Sequence, residues 1–332
     1  MNNSLLHPFS LPEQPASDYV NIVRGEGSIV FDDSGKDYVD GLANLWLCQV
    51  GYGRTEIVGA VANQMSKIHA YNTFAPFTND PAETVAEMIV ERSPHPDGRV
   101  FLGCSGSEAV DTVLKIARVV MQQRGQTERQ IVVKRTNGYH GTNFGGTSAQ
   151  GIAPNREGWG DLVPHFVEVP HDDLEAAAQV FAEHGDRIAA VLTEPVQGAG
   201  GVHPPVDGYL EGLRRLCDQH GALLIFDEVI CGFGRTGHWF GAQAFGVTPD
   251  LMTFAKGVTS GYLPLSGVIV SRSICDELES PGFMLRTGYT YSGHHASCAA
   301  GVANLKIMTE EQLPERANHI GEKILIKYIL RS

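Results

Sequence analysis

Two short apolar runs in this chain each lead into residues that can do chemistry. The first spans Ala222 to Phe226 and leads into two acids, Asp227 and Glu228, and the second spans Leu251 to Ala255 and leads into Lys256. Runs of this length and composition are typical of buried parallel strands. Because ligands bind at the carboxyl ends of the strands in a parallel sheet, we expect a carboxylate and an amine to meet at one site.

An acid and a lysine at one site suit pyridoxal phosphate (PLP). This cofactor needs a lysine to form its Schiff base and a carboxylate to keep its pyridine nitrogen protonated. Asp227 is the candidate carboxylate, because an acid beside a cation favours the charged pair. Lys256 is the candidate for the covalent link and for moving the proton at the substrate's alpha carbon. The alternative, a loop-capping acid and a solvated lysine, fits less well because an unpaired ammonium is costly in the apolar LMTFA setting.

A turn of small residues, GCSGS at 103–107, lies between an apolar stretch and a helical pattern. The first amides of a helix have no intrahelical acceptors, and the helix dipole favours an anion there. Ser105 and Ser107 add hydroxyl donors. The turn therefore indicates a phosphate site, although small residues also cap helices without any ligand. The G-x-G-x-x-G spacing of dinucleotide-binding turns is absent.

An aromatic residue, Tyr139, stands between glycines in the segment GYHG. Glycines permit close backbone approach, so the ring can lie against a planar ligand. His140 is an alternative acid–base group, but Lys256 already fills that role. The adjacent His294 and His295 point apart in either a strand or a helix, so we expect no metal site there.

Together these segments resemble the signature of the class III, fold-type-I PLP-dependent aminotransferases, which include omega-amino acid and amine transaminases. The resemblance runs from about Tyr19 to about Glu310. It implies that Lys256 is the Schiff-base lysine, that Asp227 contacts the pyridine nitrogen, and that Val229 packs on one face of the ring.

The same resemblance implies further positions around the cofactor. The turn at 103–107 is implied to hold the phosphate, with Gly106 and Ser107 at the gripping positions, and Tyr139 to lie on or beside the ring. Glu194, in LTEPVQG, is implied to shape the pocket near the phenolic oxygen or near an arginine that binds dicarboxylate substrates. The expected cofactor-binding set is Ser105, Gly106, Ser107, Tyr139, His140, Glu194, Asp227, Val229, Lys256 and Thr290.

Two further segments bear on assembly and substrate. Thr290, in TYSGH, matches a family threonine that reaches across a dimer interface to the partner's cofactor phosphate, which implies a homodimer with shared active sites. Trp46 lies in a stretch similar to the LW…GYGR segment of omega-amino acid:pyruvate transaminases and is implied to line the substrate channel. Packing of the indole in a small domain is the alternative.

Composition narrows the class of protein. The formal net charge of -13 argues against a nucleic-acid or anionic-membrane surface. The six cysteines show no C-x-x-C pairing and indicate reduced thiols in a cytosolic protein. No apolar run reaches membrane-spanning length, and the N-terminus lacks the pattern of a secretory signal. We expect a cytoplasmic enzyme that acts on small molecules.

The order of the elements predicts an α/β fold. From Val100 onward, short apolar strands alternate with longer amphipathic segments, which predicts a mostly parallel sheet sandwiched by helices. A hairpin is expected over 29–40, and helices over 55–69, 81–92, 173–184 and 209–219. We expect residues 1–51 in a smaller N-terminal lobe, 52–300 in the large PLP-binding domain and 301–332 at the start of a truncated C-terminal region.

The C-terminal region departs from the family pattern. Members normally continue past the helix near 299–307 into a lobe on the order of a hundred residues, which carries the arginine that binds the substrate carboxylate. This sequence stops at Ser332, and Arg331 matches no family motif. A truncated or frame-shifted product and a short natural variant are both open.

Three functions are open on these grounds. The first is transfer of an amino group from an omega-amino acid or amine to pyruvate or another 2-oxoacid. The second is another PLP reaction on the same scaffold, such as decarboxylation or aminomutation, with the same Lys256 and Asp227. The third is a non-catalytic remnant.

Overall fold

A computed structural model of the chain describes residues 4–324, so most of the stretch 323–332, including Arg331, lies outside the described residues. The strands are β1 (Ile22–Glu26), β2 (Ile29–Asp32), β3 (Asp37–Val39), β4 (Arg99–Gly103), β5 (Ile131–Arg135), β6 (Phe166–Val169), β7 (Ile188–Thr193), β8 (Leu223–Asp227), β9 (Leu251–Phe254) and β10 (Ser266–Val270). The helices are α1 (Ala43–Trp46), α2 (Thr55–Lys67), α3 (Asp80–Arg92), α4 (Gly106–Gln123), α5 (Phe144–Ala149), α6 (Leu174–His184), α7 (Tyr209–His220), α8 (Gly241–Ala244), α9 (Arg272–Leu278), α10 (His295–Glu310) and α11 (Leu313–Ile324).

Seven strands form the central sheet, in the order β4-β10-β9-β8-β7-β5-β6. Five adjacent strands run parallel to one another, in the order β9, β8, β7, β5 and β6. Strand β10 runs antiparallel to both of its neighbours, β4 and β9. The predicted α/β architecture with a mostly parallel sheet is therefore confirmed.

Apolar layers cover both faces of this sheet. In β8, Leu224 and Phe226 belong to one buried cluster, which also contains residues of α2, α3 and α7. Leu223 and Ile225 belong to a second cluster, which contains much of α4. Successive side chains of a strand point to opposite faces, so the alternation between clusters follows from helices on both sides. Burial on both faces explains why the run is continuously apolar.

The N-terminal part of the chain forms a separate antiparallel sheet, in the order β1-β2-β3. The predicted hairpin is confirmed, with β2 paired to β3. Asp32 organises the turn, because its Oδ1 accepts the amides of Ser34 at 2.9 Å and Lys36 at 3.0 Å. Gly35 has φ 85°, in the left-handed region that glycine adopts without strain.

The four helices predicted above are confirmed within two residues at each end. Asn79 is the N-cap of α3, because its Oδ1 accepts the Ala82 amide at 2.9 Å, and Pro81 lies in the first turn. Helix α10 packs against α2 and α3. The domain limits at residues 51 and 300 stay predictions.

Two general expectations can be compared with the structure. All six cysteines are free. Among residues 4–324, none of the helices combines the length and apolar character that crossing a membrane requires.

Candidate active site

The sheet places Asp227 and Lys256 at neighbouring strand ends. Asp227 is the last residue of β8, and Lys256 follows the last residue of β9 by two positions. The two strands are parallel neighbours, with Asp227 in register with Thr253. Parallel strands end at the same edge of a sheet, which is where ligands bind. The structure therefore brings together the acid and the amine that the sequence analysis put first.

Three donors orient the Asp227 carboxylate. Its Oδ1 accepts the Thr253 hydroxyl at 2.9 Å and the Val229 amide at 3.2 Å. Its Oδ2 lies 2.8 Å from Nδ1 of His140. The carboxylate side chain is 4% exposed and the imidazole 1% exposed. A buried acid held by this many partners has little freedom to rotate, so it presents a fixed face to the cavity beside it.

Lys256 is a half-buried residue on a strained piece of backbone. It opens a single 3₁₀ turn, Lys256–Val258, with φ 47°, in the left-handed region. That conformation costs a non-glycine residue roughly 1 kcal/mol or more. Burial lowers the pKa of Lys256; the carboxylates of Asp227 and Glu194 oppose this shift, and Arg235 adds to it. A lowered pKa increases the fraction of neutral amine, which is the nucleophilic form.

The turn at 103–107 opens helix α4. Ser105 is the N-cap: its Oγ accepts the Glu108 amide at 3.2 Å, while Glu108 Oε2 accepts the Cys104 amide at 2.7 Å. Ser105 thus has a capping role irrespective of any ligand. The amides of Gly106 and Ser107 lie in the first turn, where no intrahelical acceptor exists and the helix dipole favours an anion.

The loop after β5 closes over this helix start. The Thr142 amide donates to Ser107 Oγ at 3.0 Å. Gly141 has φ 87°, and a Cβ at this position would lie 2.6 Å from Ser107 Oγ. Only glycine therefore allows the loop to approach α4 this closely.

Glu194 ties two loops together beneath the site. Its Oε1 accepts the Tyr139 amide and its Oε2 the Gly198 amide, both at 2.9 Å. Burial raises the pKa of Glu194 to about 7, against the lowering effect of His140 and of these two amides. The carboxylate thereby sets the position of the backbone that carries the Tyr139 ring.

These elements enclose a cavity of about 100 Å³ at the strand ends. The expected residues that line it are Gly106, Ser107, Tyr139, His140, Glu194, Asp227, Val229 and Lys256. A second cavity of about 300 Å³ shares Gly106 and Lys256 and adds Ser105, Asn44 and Leu47. A larger groove of about 860 Å³, between α2, α3 and α10, contains neither Asp227 nor Lys256, so the chemistry is not located there.

Two expected residues line neither of these cavities. Trp46 is half-buried, and its carbonyl accepts Arg235 Nη2 at 2.8 Å. Its neighbours Asn44 and Leu47, rather than the indole, line the second cavity. Thr290 lies in an exposed loop.

Sequence reasoning missed the partners of Asp227. Thr253 could have been predicted as a partner, because a hydroxyl inside the apolar run LMTFA is buried and therefore needs a hydrogen-bond partner. No local pattern predicts the contact between His140 and Asp227, because 87 positions separate the two residues.

The groups around the cavity fit PLP. A half-buried amine with a lowered pKa suits a covalent link, an oriented carboxylate suits a pyridinium nitrogen, and amides at a helix start suit a phosphate. A Cβ on Gly106 would lie 3.1 Å from a methyl of Val229, so the helix start and the expected ring-packing residue are in close contact. Across residues 4–324, no group of three or more His, Cys, Asp or Glu residues is arranged to hold a metal ion.

Known proteins are similar to this chain in sequence and in fold. The family model described as Aminotransferase class-III matches residues 12–328. The chain is 39% identical to the putrescine–pyruvate aminotransferase of Pseudomonas aeruginosa, over 89% of this chain and 68% of that protein. It is also 39% identical to the beta-alanine–pyruvate aminotransferase of the same organism, over 95% and 75%.

A solved structure agrees at the level of the whole fold. An amine transaminase from an uncultivated Pseudomonas species, in the PLP-bound form, superposes with a TM-score of 0.91 at 35% identity and covers 97% of this chain and 78% of that one. Sequence, fold and site geometry converge: the chain belongs to the class III aminotransferases, the fold-type-I family of PLP-dependent transaminases.

Proposed function

We propose that this chain moves an amino group from an omega-amino acid or amine to pyruvate or another 2-oxoacid, with PLP held covalently by Lys256. The observation that carries the proposal is the shared cavity of Lys256, Asp227 and the start of α4. The two Pseudomonas aeruginosa relatives support the choice of substrates, since their names pair putrescine or beta-alanine with pyruvate.

The geometry of the cavity supports the proposed contacts to the cofactor. The amides of Gly106 and Ser107 would receive the phosphate, because they are free first-turn donors at the positive end of a long helix. Asp227 would pair with the pyridine nitrogen, because its charge is buried and its orientation is fixed by His140 and Thr253. Val229 and Tyr139 would bound the ring, since both side chains line the cavity.

Lys256 is proposed to move the proton at the substrate's alpha carbon. When bound, PLP supplies an electron sink for charge that develops at the substrate's alpha carbon. The Nζ of Lys256 takes a proton only when neutral, and burial favours that form by lowering its pKa. The amine and the Asp227 carboxylate come from neighbouring strand ends, which keeps both groups in a single small cavity.

The active form is proposed to be a homodimer. Thr290 is exposed, and exposed aromatic rings lie near it along the chain and in space: Tyr291 is 61% exposed and Phe74 52% exposed. A Cβ on Gly288 would lie 2.8 Å from the Phe74 ring, which places that ring against the Thr290 loop. An exposed apolar cluster of this kind is typical of a protein–protein interface, and a second chain is the partner that the family resemblance implies.

A cytoplasmic location and small-molecule partners belong to the same proposal. Six free cysteines are typical of a reducing compartment. A net charge of -13 disfavours binding to nucleic acid or to anionic membranes.

Reduction with borohydride after incubation with PLP tests the covalent link. Peptide mapping is expected to find the reduced cofactor on Lys256 and to find none in a Lys256→Arg variant, which keeps the positive charge but has no primary amine. Lys134 is an internal control, because its side chain is buried but paired with Glu168 on a neighbouring strand. An adduct on a different lysine, or none on folded protein, would overturn the proposal.

Product analysis then separates transamination from its alternatives. Beta-alanine and putrescine are offered with pyruvate, and alanine is measured. Alanine formation that depends on Lys256 supports the proposal. Release of carbon dioxide or an isomerised amino acid, without alanine, would indicate decarboxylation or aminomutation on the same scaffold, and a Lys256 adduct with no product would indicate a binding protein.

A further inference from the structure

The backbone around Lys256 is strained at two positions. Lys256, which opens the 3₁₀ turn Lys256–Val258, has φ 47°, and Ser260, two residues after that turn, has φ 49°. Non-glycine residues in this region persist only where surrounding contacts hold them. The contacts that hold this turn therefore decide where the Lys256 amine points.

One side chain from a distant helix makes three hydrogen bonds to this segment. Asn304, on α10, is fully buried. Its Nδ2 donates to the carbonyl of Gly257 at 2.9 Å and to the carbonyl of Val258 at 3.0 Å. Its Oδ1 accepts the hydroxyl of Ser260 at 2.7 Å. A single side-chain amide thus binds three residues of the segment that follows the lysine.

The same network reaches the N-terminal part of the chain. Ser260 Oγ, which donates to Asn304, also accepts the Val50 amide at 3.2 Å. Ser260 is itself buried. The lysine turn is therefore tied through two side chains to α10 on one side and to the segment before α2 on the other.

We propose that Asn304 is a positioning residue that holds the Lys256 turn in its strained conformation and so presents the lysine amine to PLP. The inference rests on the proposed function, in which Lys256 carries the cofactor. An amide is required at this place because it donates twice and accepts once. A carboxylate would face two carbonyl oxygens with no proton to offer, and an aliphatic side chain would leave both buried carbonyls unpaired.

The test compares Asn304→Asp with Leu305→Ala. Asparagine and aspartate have the same shape, so the first change keeps the volume of the side chain, removes the donations to the Gly257 and Val258 carbonyls, and places a carboxylate oxygen opposite them. Leu305 is the next residue of α10 and equally buried in the core, but its side chain makes no hydrogen bond to the turn, so its truncation removes packing and leaves the hydrogen bonds of the lysine turn in place. Two measurements are made on each folded variant: the thermal unfolding midpoint, and the rate and affinity of PLP capture at Lys256, followed by visible absorbance and by borohydride mapping.

We expect Asn304→Asp to lower the affinity for PLP roughly tenfold or more, as the loss of two buried hydrogen bonds implies. Leu305→Ala is expected to lower the unfolding midpoint at least as much and to keep PLP affinity within about twofold, since its cost falls on packing. Ser260→Ala removes a single link of the network and is expected to lower the affinity by a smaller factor, on the order of threefold.

The outcomes separate the two proposals. If the unaltered chain captures no PLP at Lys256, the proposed function fails. If it does, and Asn304→Asp captures PLP as well, or Leu305→Ala loses capture to the same degree, the positioning role of Asn304 is overturned. Should Asn304→Asp not fold, Ser260→Ala decides: unchanged capture contradicts the inference, and reduced capture at an unfolding midpoint above that of Leu305→Ala supports it.

Discussion

Replacement of Asp227 by asparagine removes a charge from the centre of the site while leaving its shape. The new amide oxygen can still accept the Thr253 hydroxyl and the Val229 amide. The new amide nitrogen would face His140 Nδ1, which a neutral imidazole can offer as an acceptor. Because all three contacts have a compatible arrangement, we expect the Asp227→Asn variant to fold and to link PLP at Lys256.

The effect on turnover is expected to be large because the lost charge is buried. The Asp227 side chain is 4% exposed, so water cannot replace the carboxylate. Loss of one preorganised partner of a developing charge typically costs about 3–4 kcal/mol, or roughly a hundredfold to a thousandfold in rate. The effect on stability is smaller: three neutral hydrogen bonds in place of charge-assisted ones cost on the order of 1 kcal/mol.

The assay is single-turnover transfer of the amino group from beta-alanine, normalised to the Lys256 adduct. Asp250→Asn is the matched control, since Asp250 is another acid beside the sheet, bound by Arg214 Nη1 at 2.8 Å and the Leu224 amide at 2.7 Å. It is expected to lose stability and to keep its rate per adduct. Near-normal turnover of Asp227→Asn would refute the assignment of the pyridine partner, and loss of the adduct would show that the carboxylate is needed for Lys256 to react.

Two other predictions concern pH and assembly. Burial raises the pKa of Glu228 from 4.5 to about 7. The folded chain then holds a proton that the unfolded chain has released, so stability should fall by about 3 kcal/mol for this group as pH rises from about 4.5 to about 7. Urea unfolding at several pH values measures how steeply stability falls with pH, and Glu228→Gln should make that fall less steep. The contribution of Glu194, whose pKa is also raised to about 7, should remain. An unchanged dependence on pH would contradict the raised pKa of Glu228. If sites are shared, mixing a Lys256→Ala chain with a Thr290→Ala chain should restore about a quarter of the activity, because half the dimers are mixed and each has one intact site. No recovery in dimers shown to exchange would contradict a shared site.

Short-range patterns in the sequence were enough to predict most helices and strands and the reactive residues at the strand ends. The apolar run before Asp227 and the one before Lys256 predict buried strands, and both are strands of the parallel part of the sheet. The caps at Asn79 and Ser105 follow from residues three positions apart, Ala82 and Glu108. Such interactions lie within one turn of chain, so the order of residue types is sufficient to predict them.

The tertiary structure alone decided which distant residues complete the site. His140 meets Asp227, 87 positions along the chain, and Asn304 meets the carbonyl of Gly257 across 47 positions. It also decided that the Trp46 indole lines neither cavity while Asn44 and Leu47 line one of them. These contacts depend on strand order and on how helices pack over the sheet, and many chain paths with the same local elements would bring other residues together. Periodicity specifies which face of an element is buried, but only the packed arrangement specifies which side chain lies opposite.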